Sequence, residues 1–113
     1  MGELGTEKLY LGDRGITAIE PGAFRGFRGS DQVTTLDLWG NSISSPEPGA
    51  FDGLESLKIL ALEYNDIATI RNGTFDGLGT LKCLALGDNP LTCDEVADQL
   101  PPGVRCVYNL DEC

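Results

Sequence analysis

The chain has 113 residues, with 18 acidic and 8 basic side chains and no histidine, for a formal charge of −10. One domain with a small core fits that length, and a hydrophobic content of 41% is that of a folded protein. The charge disfavours nucleic acid and anionic membrane surfaces, the lack of histidine removes the commonest general base and zinc ligand, and no apolar run reaches the roughly 18 residues of a membrane span.

Met1-Gly2-Glu3-Leu4-Gly5-Thr6 fits the loose myristoylation pattern, but Glu3 suits it poorly and no basic patch supplies a second anchoring signal. Neither a basic stretch nor an apolar run of a signal peptide precedes the first repeat. Residues 1–8 therefore read as a lead-in, too short to cover an apolar edge. That edge is expected either to be a cut through a longer array, the favoured reading, or to meet a partner.

From Leu9 the chain repeats. A first unit carries Leu9, Leu11, Ile16, Ile19 and Phe24, and a three-residue insertion around Phe27–Gln32 spaces it 27 residues from the next. Three further units start at Leu36, Leu60 and Leu84, at a period of 24. Each places an asparagine five positions on, at Asn41, Asn65 and Asn89, where the first unit has Arg14. Phe51 and Phe75 follow their leading leucines by 15 residues, with Leu54, Leu57, Leu78 and Leu81 behind them.

Leucines two apart put alternate side chains of a short strand on one face. One such strand cannot bury that face alone, whereas stacked copies make a parallel sheet over a continuous core. The asparagines stand where the strands end and can satisfy backbone groups leaving the ladder. The phenylalanines are expected to stack as a spine on the convex side.

This pattern resembles the leucine-rich repeat family, and its Gly-Ala-Phe-x-Gly-Leu-x-x-Leu element is similar to the typical 24-residue subclass. The resemblance spans about residues 6–93 and implies an α/β-type solenoid, short and curved. The implied architecture is a parallel concave sheet, irregular or 3-10 convex segments, and a small C-terminal cap. Residues 9–92 are read as about four repeats and 93–113 as the cysteine-bearing cap. The family also implies a protein ligand bound on the concave sheet, and a setting mostly extracellular.

Within the cap, a short acidic helix is expected near Asp94–Leu100, stopped by Pro101-Pro102. The cap departs from the animal form, so no disulfide pattern carries over. The four cysteines allow three complete pairings. Cys93–Cys106 is the first choice, closing a loop of the cap. Cys113 is then left to another partner or free. Strand alternation puts Cys83 on the concave face, away from the cap interior, and a free thiol there is the plainer reading. Intervening runs of 9, 12 and 6 residues lack the short paired spacing of a zinc site.

Asn72-Gly73-Thr74 is an N-glycosylation sequon that also reads as the turn before Phe75. Residues flanking the strand leucines face the concave side, which gives a candidate partner surface of Tyr10, Asp37, Trp39, Glu63 and Tyr64. Its acids favour a basic protein partner. The plainer alternative is that Trp39 merely folds over the sheet. No nucleophile–base pair, phosphate loop, calcium loop or metal ligand set stands out, so no catalysis and no cofactor are expected. The favoured function is a secreted or ectodomain recognition module. The alternatives are a cytosolic adaptor with reduced cysteines and an assembly element that self-associates through its N-terminal edge.

Overall fold

The computed structural model describes residues 7–113, so the myristoylation-like segment lies outside the described residues. Five short strands build one parallel sheet in chain order: β1 (Glu7–Tyr10), β2 (Val33–Asp37), β3 (Ile59–Ala61), β4 (Cys83–Ala85) and β5 (Arg105–Val107). Leu9, Leu36, Leu60, Leu84 and Cys106 stand opposite one another across the sheet. The repeat leucines thus form one row, and those of β2 to β4 are fully buried. β1 starts at Glu7, inside the segment read as lead-in, and the 27–32 insertion ends in a 3-10 turn, Ser30–Gln32.

Return segments carry the other side of the core. Phe24, Phe51 and Phe75 stack face to face at 6.5 Å spacings, which is the expected spine. Such ring pairs add specific geometry to a large buried area. Outside the spine, neighbouring turns are joined by the exposed ion pairs Arg25–Asp52 and Arg71–Glu47.

The asparagines reach back toward the preceding repeat. Asn65 Oδ1 accepts from the Ile43 N–H, while its amide donates to the carbonyls of Leu38, Leu62 and Glu63. Asn41 does the same for the first unit, accepting from Arg14 and Ile16 and donating to Leu11 and Leu38. Asn89 accepts from Ile67 and donates to Leu62, Leu86 and Gly87. Backbone groups released by the short strands are thereby paired inside the core, where an orphan would be costly.

In the C-terminal segment, Thr92 and Glu95 close a capping box on α1 (Cys93–Val96), which runs on as a 3-10 turn to Gln99. The segment then returns as β5, a strand the repeat pattern did not announce. Cys93 and Cys106 are bridged, with Cα atoms 5.6 Å apart. A second bridge joins Cys83 to Cys113, Cα atoms 5.8 Å apart, and corrects the reading of Cys83 as a free thiol. Alternation does turn Cys83 away from the leucine row; the chain beyond β5 crosses to that face and meets it there.

Candidate functional site

Trp39 follows β2 and is 42% exposed. Its ring packs against Tyr64 of the next repeat, centroids 5.2 Å apart and planes tilted by 57°. Tyr64, 52% exposed, occupies the position before the asparagine. That position is left-handed in every unit: φ is 59° at Asp13, 72° at Gly40, 56° at Tyr64 and 57° at Asp88. A tyrosine is an uncommon choice for such a backbone. It turns the side chain out at the rim, where it meets the tryptophan.

Asp37 is half-buried, and its Oδ1 accepts from the Trp39 N–H at 2.9 Å, which pins the backbone beneath the indole. Tyr10 lies opposite Asp37 in the β1–β2 register and is well exposed. These four side chains share the open part of the sheet face.

Glu63 stands apart from them. It is only 6% exposed, and its Oε2 accepts from the Leu110 N–H at 2.9 Å. Its other oxygen is buried with no partner among the described residues. Leu110, the 3-10 turn Leu110–Glu112 and Cys113 therefore hold the C-terminal segment across the concave side of β3 and β4, where Ala61, Cys83 and Ala85 are buried. The concave face is consequently divided. Its β1–β2 side exposes Lys8 and Tyr10 and, at the rim, Trp39, although Thr35 is buried there, and its β3–β4 side is covered.

Two further groups adjoin the aromatic pair, one of them, Asp88, at the rim position before the asparagine that the repeat marks and the other, Tyr108, outside the repeat. Asp88 is exposed at the rim, and Tyr108, beyond β5, is 55% exposed. Hydrogen bonding and charge from Asp88 raise the pKa of the Tyr64 hydroxyl above its ordinary value, and the same carboxylate raises that of Tyr108. One carboxylate thus acts on two phenols. Tyr108 comes this close because Gly87 has no side chain: a Cβ there would run into the Tyr108 backbone oxygen and ring. The signal for Tyr108 was the alternation Cys106-Val107-Tyr108, which places Cys106 in the leucine register. Its spacing of 22 from Leu84 hid it from a search at 24.

Asn72 is exposed in its turn, on a return segment rather than a strand. Thr74 is buried and donates to the Arg71 carbonyl at 2.7 Å, so the turn has a structural role. Among the described residues no cluster of three or more potential ligands could hold a metal ion, and no helix is long and apolar enough to cross a membrane.

The family model for the leucine rich repeat matches residues 31–91, more than half of the chain. No curated protein was found to match. The matched region contains β2 to β4, all three asparagines and two of the three phenylalanines of the spine. On that match and on a sheet, ladder and spine of the same period, the chain belongs to the leucine rich repeat family, whose repeats are a protein-interaction fold.

Proposed function

We propose that the protein is a non-catalytic recognition module that binds a protein ligand on the open side of its concave sheet. The observation that carries this reading is the exposed Trp39–Tyr64 pair. Aromatic side chains on an exposed surface are enriched at interaction hot spots, and this pair stands in the turns that follow the neighbouring strands β2 and β3. Tyr10 and Asp37 extend the surface toward β1, and the acids around it favour a basic ligand. Glu63 contributes by holding the covering segment. Residues 9–92 act as the recognition array and 93–113 as its cap.

Two disulfides support an oxidising, extracellular or lumenal setting over a cytosolic adaptor with reduced thiols. Within that setting Asn72 is the proposed glycan acceptor, away from the recognition surface. The test is selection of binders from a displayed protein library against the whole chain. Binders that lose at least about tenfold in affinity on Trp39→Ala with Tyr64→Ala, and nothing on Asp76→Ala, support the assignment. A panel indifferent to the aromatic pair sinks it.

A further inference from the structure

Between the end of β4 and the C-terminal segment lies a cleft of about 380 Å³, near the lower end of small-ligand pockets. Its walls include Asp88, Tyr108, Glu112, Leu91 and Val107. Two acidic residues therefore line a space that no lysine or arginine lines among the described residues, while Arg105 beside it donates to the Glu112 carbonyl at 3.3 Å. The cleft adjoins the aromatic strip through Tyr108, which lines it beside Asp88.

We propose that this cleft is a subsite for an arginine side chain presented by the protein ligand. The inference rests on the recognition reading above and names the group that the ligand inserts. Four features of the cleft fit a guanidinium. Its carboxylate residue Asp88 is exposed at the cleft, and a carboxylate has about four lone-pair sites with which to accept. Arginine uses such a carboxylate through a planar fork of N–H donors, which the point charge of a lysine does not. The exposed ring of Tyr108 offers a face on which a guanidinium stacks. Leu91 and Val107 supply apolar wall for the methylene stem, which arginine carries and a free cation lacks. Glu112 is held in place by the Asn109 N–H, which donates to its Oε1 at 2.8 Å, so the second carboxylate is preset.

The experiment is a titration of the whole oxidised chain followed by amide chemical shifts. The probes are acetyl-Gly-Arg-Gly-amide and its matched lysine and citrulline forms. Citrulline keeps the shape and removes the charge. Expected are saturable shifts at Gly87, Asp88 and Tyr108 with the arginine peptide. Binding of the lysine peptide should be at least about fivefold weaker, and the citrulline peptide should give no saturation. Asp88→Asn should weaken the arginine peptide about tenfold, while Asp76→Asn, on a return segment, changes nothing. Asparagine tolerates the left-handed backbone of position 88, so that variant keeps the fold. Equal binding of citrulline or lysine overturns the proposal, as do shifts spread over exposed acids such as Asp76 and Asp98. If such a result accompanies protein binders that still depend on Trp39 and Tyr64, the arginine subsite fails and the recognition surface stands. If the binders ignore Trp39 and Tyr64, the recognition reading fails as well.

Discussion

The Leu110 N–H donates to the Glu63 carboxylate across 47 positions of sequence, at 2.9 Å. That bond and the Cys83–Cys113 bridge lie on the same side of the sheet and hold one segment down at two points.

Removing the bridge should therefore loosen the cover without dissolving the array. The Cys83→Ser, Cys113→Ser double variant is expected to lose about 3–4 kcal/mol in denaturant unfolding, from the loop entropy of a 30-residue separation. Amide exchange at Leu110–Glu112 should speed up, while Leu60 and Leu62 stay protected. Equal exchange in both regions would contradict a local cover.

Glu63 itself separates charge from hydrogen bonding. Glu63→Ala leaves the Leu110 N–H without its acceptor, at a cost of about 1–3 kcal/mol. Glu63→Gln keeps an acceptor oxygen and removes a buried charge, so its stability should equal or exceed that of the parent. Chemical denaturation of the two variants side by side decides this; a glutamine variant as weak as the alanine one would show that the charge is needed.

Asn65 makes four hydrogen bonds to backbone of two repeats. Asn65→Ala should cost about 3 kcal/mol, because several buried groups lose partners together. Leu60→Asp, at a fully buried site, should unfold the chain outright. Circular dichroism melts test both, and an unchanged melt for Leu60→Asp would refute the strand register.

Surface and core aromatics should part company. Phe51 is 1% exposed in the middle of the spine, and Phe51→Ala is expected to cost about 3–5 kcal/mol. Trp39→Ala removes an exposed ring whose pairing with Tyr64 contributes about 0.5–1.5 kcal/mol. A double-mutant cycle over Trp39 and Tyr64 measures that coupling. A loss on Trp39→Ala as large as that on Phe51→Ala would make the tryptophan a core residue.

The pH response follows from three shifted groups. Hydrogen bonds from the Thr92 backbone and hydroxyl lower the pKa of Glu95. Its contribution is thus present above the unfolded carboxylate value of about 4.3 and is lost as pH falls through the lower folded value. Tyr64 and Tyr108 shift upward, so their contribution is present below about 10 and is lost as pH rises through the higher folded values. Absorbance titration of the phenolates should show these two ionising above the ordinary tyrosine value. Asp88→Asn should bring both down, and no change in that variant would show that Asp88 is not the cause.

Most of this fold was legible because a period of 24 repeats the same physical problem. Leu36, Leu60 and Leu84 each need a neighbour to bury them, and Asn41, Asn65 and Asn89 each close a strand end. Alternation also marked Trp39 as an exposed residue of the concave face, and its ring is partly exposed. It could not reveal that Glu63 and Cys83 would be covered, since their covers come from 47 and 30 residues away in chain segments outside the repeat. β5 escaped for a related reason: Cys106 stands in a leucine position but at a different spacing.

The asparagine ladder also bears on how the protein is made. Asn41, Asn65 and Asn89 all bond to backbone that a ribosome has already released, never to the repeat still to come. Each unit is thus left with open backbone groups until its successor emerges, and is finished retroactively. Folding during synthesis should advance in steps of one repeat and lag elongation by one, so a chain stalled between Asn65 and Asn89 would carry one unfinished turn for a chaperone to shield.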